Sequence, residues 1–149
     1  MNDISELVYS PLIEKYNINF GVDHGLSKIY YGERLIEIPF IFMHIEDPPK
    51  SVIDIGCSES ILPIQLAMLG YNVTGIDIRD YGYVNKNFKF IKKDFLDFNP
   101  KTNFDIATAI SSIEHFGLMA YKNRSLDFAA DKKSINKVYS ILKNSGQFI

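Results

Sequence analysis

Residues 51–60 of the chain read SVIDIGCSES. An apolar run containing Val52 and Ile53 stops near Asp54, Gly56 follows two residues later, and small residues then lead toward a helix. This order is typical of a buried strand that brings the chain to a cofactor-binding turn. Glycine-rich nucleotide loops carry two or three glycines, whereas this turn has one. The stretch therefore supports two interpretations, a cofactor loop with serines in place of glycines or a buried strand that ends in a tight turn.

Short apolar strands and amphipathic helices alternate after residue 51. The segments SVIDI, YNVTGIDI, FKFI and FDIATAI predict four strands, and QFI at 147–149 begins a fifth. SILPIQLAML predicts a helix that ends before Gly70, and Asp131 is placed to cap a second helix that includes Leu142. Because strands that alternate with helices form parallel sheets covered on both faces, we predict an α/β fold with a mostly parallel sheet.

The first part of the chain has a different character. We predict that residues 1–49 form an N-terminal extension with helical segments and that residues 50–149 form the main domain. Within the extension, residues 33–46 predict helical turns that Pro39 kinks or restarts. Pro48 and Pro49 indicate a linker before the first strand.

The composition restricts the kinds of partner and compartment. A chain of 149 residues with a net charge of −2 suits a soluble domain with one core and gives no reason to expect long nucleic acid. Cys57 is the only cysteine, so no intrachain disulfide or cysteine zinc cluster is expected, and a cytoplasmic setting is the simplest interpretation. The apolar window IEIPFIFMHI is shorter than the roughly 20 residues of a membrane span, and the acidic first segment is unlike a signal peptide. We expect small-molecule ligands and assign no membrane partner and no metal site.

Ligands of open parallel sheets bind outside the carboxyl ends of the strands, which directs attention to the residues after each strand. Asp77 ends the second strand about 20 residues beyond the glycine turn, where an acid can accept from two ribose hydroxyls. Asp94 after the third strand could accept from an adenine amino group while Phe95 packs against the base. The alternatives are a turn residue at Asp77, and a solvated acid beside a core phenylalanine at 94–95.

The segment after the fourth strand reads ISSIEHFGL. Ser111 and Ser112 are small enough to leave room for a ligand, and Glu114 and His115 place an acid and an imidazole next to each other. Such a pair can act as a general base. A histidine with a purely structural role is the alternative for His115.

These motifs, taken in order, resemble the motif series of class I S-adenosylmethionine-dependent methyltransferases. The series DIGCSES, VTGIDIRDY, KKDF, FDIATAISSIEHFGL and ILKNSGQFI covers roughly residues 50–149. The chain is most similar to a subgroup with a serine-x-x-Glu-His-x-Gly-Leu segment and a tyrosine soon after it, here Tyr121. That subgroup also has an arginine and a Glu-x-Pro segment before the first strand, as in Arg34 and Glu37-Ile38-Pro39.

The resemblance implies a three-layer Rossmann-like methyltransferase fold, S-adenosyl-L-methionine as cofactor, and methyl transfer to a small-molecule or sugar-like acceptor. It implies that Asp77 binds the ribose and that Ser111 lines the sulfonium end. Ile78, Asp94 and Phe95 would lie beside the adenine. Around the methionine moiety it places Asp54, Gly56, Ser58 and Ser60. Glu114 or His115 would be the base that deprotonates the acceptor.

The chain departs from the family pattern in three places. Ser58 and Ser60 replace glycines that are usual in this loop, and each would be strained if its position needs φ > 0, although a hydroxyl could also donate to the cofactor carboxylate. Lys122 follows Tyr121 where the subgroup tends to have glycine. The family's sheet has seven strands, and this chain stops as the fifth begins. We therefore expect a C-terminally truncated domain, with a homodimer across the open sheet edge as one way to cover it.

Two other functions are consistent with parts of the sequence. A catalytically inactive methyltransferase-like association module would explain the missing strands and the replaced glycines. A nicotinamide-dependent oxidoreductase would use Asp77 equally well, but the loop lacks G-x-G-x-x-G and has Asp54 where a pyrophosphate would lie. The sequence favours the methyltransferase over both.

Overall fold

The computed structural model describes residues 27–58, 60–118 and 126–149, with side chains in the first helix described at residue 34 and from residue 36 onward. The chain divides into two compact units, Met1–Met43 and His44–Ile149. The described part of the first unit belongs to helix α1, Ser27–His44, whose last residue is the first of the second unit and which contains Pro39 in its interior. One helix runs through Pro39, so the expectation that the proline begins a new helix is wrong, and the alternative of a kink stays a prediction. Arg34 and Glu37 form an ion pair of 3.2 Å one turn apart on this helix.

The second unit contains five strands and two α-helices. The strands are β1 Ser51–Ile55, β2 Asn72–Asp77, β3 Phe88–Lys92, β4 Phe104–Thr108 and β5 Leu142–Phe148. The helices are α2 Leu62–Met68 and α3 Ala130–Ile141. Two short 3-10 turns, Phe95–Asp97 and Ile113–His115, follow β3 and β4. These two turns carry residues that the sequence singled out.

The five strands form one sheet in the order β3-β2-β1-β4-β5, and every neighbouring pair is parallel. The chain moves outward from β1 to β2 and β3 and then returns to the other side of β1 with β4. The point where the strand order reverses therefore lies between β1 and β4. In open parallel sheets, this is where ligands bind, beyond the carboxyl ends of the strands. The predicted α/β fold with a parallel sheet is confirmed.

Both faces of the sheet are covered. On one face Ile53, Ile55 and Ile76 join Val138 and Ile141 of α3 in a buried cluster. On the opposite face, side chains in register across three strands are also buried, namely Val52, Val73 and Ile106. Near-continuous apolar strands are what a sheet buried on both faces requires.

Helix α2 ends as the sequence predicts. Pro63 lies in its first turn, where the missing N–H costs nothing. Beyond its end, Gly70 N donates to the Ala67 carbonyl at 3.3 Å and Tyr71 N donates to the Leu66 carbonyl at 3.2 Å. This pair of bonds satisfies carbonyls that the helix itself leaves open and turns the chain directly into β2.

Helix α3 and strand β5 both begin at residues other than those predicted. Asp131 is not the N-cap of α3, because Ala129 holds that position and Asp131 lies in the first turn. Leu142 belongs to β5 rather than to the helix. The strand starts with an irregular pairing, since Phe104 is opposite Leu142 but Ile106 is opposite Gln147. Regular pairing thus resumes at the QFI segment, and a strand that begins with a bulge has no alternating pattern to reveal it.

Gln147 connects β5 to the segment that leads into β1. Its amide nitrogen donates to the His44 carbonyl at 2.6 Å, and its amide oxygen accepts from Glu46 N at 3.2 Å. The Tyr71 hydroxyl donates to the carbonyl of Glu46 at 2.8 Å. The residues before the first strand are therefore held from both sides of β1, by β5 and by the turn that precedes β2.

Within the ranges that the structure describes, no helix has the length and apolar character needed to cross a membrane. The predicted cytoplasmic location, the truncation and the dimer across the sheet edge stay predictions.

Asp105 holds together three strands at the edge of the sheet opposite the strand-end loops. Its carboxylate accepts from the Ser51 amide at 2.8 Å, from the Ser51 hydroxyl at 2.6 Å and from Lys143 Nζ at 2.7 Å. The Lys143 bond, followed by the Ser51 bonds, holds the pKa of Asp105 below its usual range. A carboxylate with a depressed pKa stabilises the folded state above its unfolded pKa and loses that contribution as the pH falls.

We expect Asp105→Asn to lower the free energy of unfolding at neutral pH by roughly 1–2 kcal/mol, a value reduced by the exposure of Lys143. Because the unfolded pKa of aspartate is about 3.9, the difference from wild type should shrink as the pH falls below about 4. Urea unfolding at neutral pH and at acidic pH measures the difference in the free energy of unfolding, and the exposed Asp47→Asn is the matched control. An equal difference at both pH values would contradict the assignment.

Candidate functional site

The turns after β1 and β4 meet at the point where the strand order reverses. The Ser112 hydroxyl donates to the Ile55 carbonyl at 2.8 Å and is buried. Gly56 has a φ of 77°, and a Cβ built on it would clash with the Cβ of Ser112. A glycine is therefore required at position 56 for two independent reasons, its backbone conformation and the approach of the second turn. Ser112 therefore packs directly against Gly56.

Asp54 is buried beside this contact. It is 2% exposed, and its Oδ1 accepts from the Thr108 hydroxyl at 2.7 Å. Asp54 and Thr108 are register partners on β1 and β4, so both side chains project from the same face of the sheet. Asp54 is among the residues predicted from the sequence and Thr108 is not, since its position as the last residue of a strand is the only signal that the sequence gives for it.

Cys57 lies under the loop rather than at its surface. It is 1% exposed, and a Cβ on Gly75 of β2 would come within 2.8 Å of its sulfur. Burial, with a smaller contribution from the carboxylates of Asp54 and Asp77, raises the pKa of the Cys57 thiol well above its usual value. The cysteine is therefore a packing residue, since a thiol rather than a thiolate is present at neutral pH.

The two serines that replace glycines have ordinary backbone conformations. Among the described residues, Ser111 is the one non-glycine residue with a positive φ, at 43°. The strain considered for Ser58 and Ser60 is therefore absent. The Ser58 hydroxyl donates to the Asp80 carbonyl at 3.0 Å, and Ser60 Oγ accepts from Leu62 N at 3.2 Å. The Ser58 hydroxyl therefore joins the β1 loop to the turn after β2, and the Ser60 hydroxyl stabilises the start of α2.

Asp77 connects the end of β2 to the loop after β1. Its Oδ2 accepts from Ser58 N at 2.9 Å, and its Oδ1 accepts from Arg79 N at 2.8 Å. The Arg79 guanidinium adds two bonds of 3.3 Å, from Nε to Oδ1 and from Nη2 to Oδ2. The carboxylate is 4% exposed, and Ile78 beside it is partly buried. Arg79 was not among the predicted site residues, although it is charged and lies two residues after the acid.

An aromatic cluster supports the same loop from the side of β3. The Tyr81 hydroxyl donates to the Ser60 carbonyl at 2.9 Å, and its ring lies 5.1 Å from that of Phe88 and 5.8 Å from that of Phe90. Burial raises the pKa of Tyr81 above its usual value, which keeps the hydroxyl protonated as a donor. The alternation of aromatic residues in FKF is the sequence signal for this cluster, which was not among the predicted features of the site.

Asp94 and Phe95 have separate surroundings. Asp94 caps the 3-10 turn after β3, where its side chain accepts from Leu96 N at 2.8 Å. Phe95 is 3% exposed and packs in the core cluster, with the Phe116 ring 6.4 Å away and Lys137 Nζ 5.8 Å above its own ring. The neighbouring Lys93 N donates to the Asp77 carbonyl at 2.9 Å, which brings this turn next to the end of β2.

The segment after β4 places Ser111, Glu114 and His115 close together in the chain. Glu114 and His115 lie on the second 3-10 turn, with 3.8 Å between His115 Nε2 and Glu114 Oε1, and both side chains are about half exposed. Glu114 also borders a shallow groove against α3. Gly117, with a φ of 76°, packs so closely on the Asp127 backbone that no side chain fits there. The glycine of the EHFGL segment therefore has a structural reason. Tyr121 and Lys122 lie outside the described residues.

No protein-family model matches the chain. A curated relative, the ubiquinone biosynthesis O-methyltransferase of Paraburkholderia phymatum, is 30% identical over 91 residues, which are 54% of this chain and 39% of the relative.

Solved structures extend the likeness to nearly the whole chain. The 1,6-didemethyltoxoflavin-N1-methyltransferase of Burkholderia thailandensis superimposes with a TM-score of 0.64 at 14% identity, over 97% of this chain and 62% of that protein. The N-methyltransferase NodS of Bradyrhizobium japonicum does so with a TM-score of 0.58 at 15% identity, over 78% of this chain and 59% of NodS.

The chain has the fold of S-adenosylmethionine-dependent methyltransferases. The Rossmann-like methyltransferase fold expected from the sequence is thereby confirmed. The chain spans less than two thirds of the length of these proteins, between 39% and 62% of each. In this methyltransferase fold, the strand-end loops described above occupy the carboxyl edge of β1, β2 and β4.

We expect Gly56→Ala to destabilise this methyltransferase fold by roughly 2–5 kcal/mol, because it adds a positive-φ strain to an overpacked contact. Urea unfolding measures the change. Gly82→Ala is the matched control, since nothing lies within 4 Å of a Cβ at that position. The double variant Gly56→Ala/Ser112→Gly should recover part of the loss by relieving the clash. Equal stability of Gly56→Ala and Gly82→Ala would contradict the close approach.

Proposed function

We propose that the chain binds S-adenosyl-L-methionine at the carboxyl edge of β1, β2 and β4 and transfers its methyl group to a small-molecule acceptor. The observation that carries the proposal is the Asp77 carboxylate. It lies at the end of β2 and is joined to the loop after β1 through Ser58 N at 2.9 Å. An acid at the end of the second strand, beside the glycine turn that follows the first strand, is the arrangement that accepts the two hydroxyls of a ribose.

The residues at the site fit the cofactor in two respects. Gly56 carries no side chain, which lets the turn after β4 pack against the β1 loop and brings two of the strand-end loops together at the proposed site. The two short bonds to Asp77 come from backbone amides, so the carboxylate is oriented before a ligand arrives. The N-methyltransferase NodS was solved with S-adenosylhomocysteine, the product of such a cofactor, which supports the same ligand here.

Each predicted residue then has a proposed role. Asp77 binds the ribose, and Ile78 and Asp94 lie beside the adenine, with Phe95 supporting that side from the core. Ser111, strained at a φ of 43° on the turn after β4, lines the sulfonium end. Around the methionine moiety we place Asp54, Gly56, Ser58 and Ser60.

Methyl transfer needs an aligned acceptor and a proton acceptor more than covalent help from the protein. The cofactor supplies an electrophilic methyl group on a sulfonium. An acceptor oxygen or nitrogen attacks that carbon, the carbon–sulfur bond breaks, and the proton of the acceptor passes to a base. We assign the base to Glu114 or His115, which lie 3.8 Å apart and are both accessible. A small-molecule acceptor is supported by the 1,6-didemethyltoxoflavin bound in one structural neighbour.

A second candidate is a binding module without turnover. It is favoured by the position of β5 at the edge of the five-stranded sheet. In that case the edge strand β5 would pair with a second copy, since an edge strand offers unpaired backbone groups. Sedimentation tests the dimer, and methylation by the chain alone would exclude an inactive module.

We expect Asp77→Asn to weaken binding of S-adenosyl-L-methionine about 10- to 100-fold, because a neutral amide accepts fewer and weaker bonds from the ribose hydroxyls. Titration calorimetry measures it. Asp47→Asn, an exposed acid before β1, is the control and should bind as wild type does. If well-folded wild type binds neither the cofactor nor its demethylated product, the proposed function is wrong.

With an acceptor found by screening amines and hydroxyl compounds, Glu114→Gln and His115→Asn should separate the two candidate bases. Loss of the base should lower kcat about 100-fold or more while leaving cofactor affinity unchanged. The measurement is transfer of a labelled methyl group as a function of pH. A pH dependence retained in both variants would show that neither residue is the base.

A further inference from the structure

The acceptor positions of the Asp77 carboxylate are already filled. A carboxylate has about four lone-pair positions, and four donors are directed at Asp77. Two are backbone amides, Ser58 N at 2.9 Å and Arg79 N at 2.8 Å. Two are guanidinium nitrogens of Arg79, Nε and Nη2, each at 3.3 Å. A ribose diol needs two positions on this carboxylate, so two of the present donors have to leave.

The donors differ in how easily they leave. The amides belong to the β1 loop and to the turn after β2, and moving them would disturb the backbone that holds Asp77. The guanidinium bonds are longer, and the Arg79 side chain is 29% exposed, so it can move into solvent. The carboxylate itself is 4% exposed beneath it. A hydroxyl therefore reaches Asp77 only when the guanidinium withdraws.

We propose that Arg79 is a reversible occupant of the ribose position on Asp77, so that binding of a nucleoside breaks the Arg79–Asp77 ion pair. This inference rests on the proposed function, because it requires that Asp77 receives the ribose. Arg79 then sets cofactor affinity by competition, although it is not a catalytic residue. The acid next to Arg79 in the chain, Asp80, forms its own exposed ion pair with Lys92 at 2.7 Å.

The opposite role has the opposite consequence. If Arg79 serves mainly to orient Asp77 for the ligand, its removal weakens binding. If Arg79 occupies the ribose position, its removal strengthens binding. The sign of the change in affinity therefore decides between the two roles.

The test uses 5′-methylthioadenosine, a neutral probe that has the ribose diol and lacks the charges of the methionine moiety. We expect Arg79→Ala and Arg79→Gln to bind it about 2- to 5-fold more tightly than wild type, as expected for loss of a partly exposed ion pair. Raising the salt from about 0.05 M to about 0.5 M should strengthen wild-type binding by a similar factor, because salt screens the competing pair. The variants should show little salt dependence.

Two controls make the effect specific. Lys89→Ala removes an exposed cation from β3 and should change neither the affinity nor its salt dependence. The 2′,3′-dideoxy form of the probe has no diol, so its weaker binding should not respond to Arg79 substitution. Weaker or unchanged binding of the diol probe by both folded Arg79 variants would overturn the inference while leaving the proposed function intact. Failure of wild type and both variants to bind the probe or S-adenosyl-L-methionine would overturn both.

Discussion

The approach of the turn after β4 to the turn after β1 is the constraint on which the rest of the site depends. The bond from the Ser112 hydroxyl to the Ile55 carbonyl spans only 2.8 Å and is buried, so the two turns cannot shift independently. A side chain at position 56 would prevent it. Once this contact is made, the β1 loop is directed away from β4 and toward β2. Its next residues then reach Asp77 through Ser58 N.

The acids at the carboxyl edge of the sheet are held mainly by neutral donors. A hydroxyl donates to Asp54, a backbone amide donates to Asp94, and two backbone amides donate to Asp77. Arg79 is the cationic donor of Asp77, and its bonds are the longest of the set. At the other edge, Asp105 has a short bond to Lys143 and serves to join strands.

The serines of the β1 loop show how a glycine-poor turn can keep the geometry of a binding loop. Ser58 and Ser60 adopt ordinary backbone conformations, and their hydroxyls bond to the turn after β2 and to the start of α2. Among the described residues other than glycine, the positive φ occurs at Ser111, on the turn that faces the loop. Backbone strain of this kind persists only where surrounding contacts impose it. Here the contact that imposes the strain is the buried hydrogen bond from the next residue, Ser112, to the Ile55 carbonyl.

Much of the fold could be predicted from local pattern. Apolar runs of four to eight residues located β1 to β4, and the Pro63 and Gly70 positions bracketed α2, because burial on both faces and helix termination leave local signals. The start of β5 and the cap of α3 could not be predicted in this way. β5 begins with an irregular pairing to β4, and the α3 cap is an alanine without a side-chain bond. The continuity of α1 through Pro39 likewise has no local signal.

For the site, the sequence by itself determined which residues stand at the strand ends. Because the strands of a parallel sheet all run in the same direction, their carboxyl ends lie at one edge. Asp54, Asp77 and the serines after β4 follow from that rule. Only the tertiary structure decided what each of them contacts. Ser112 reaches a carbonyl 57 residues away, Thr108 reaches an acid 54 residues away, and Ser58 reaches Asp77 across 19 residues. Such contacts depend on the register of neighbouring strands, and a register is fixed by packing on both faces of the sheet rather than by any short stretch of chain.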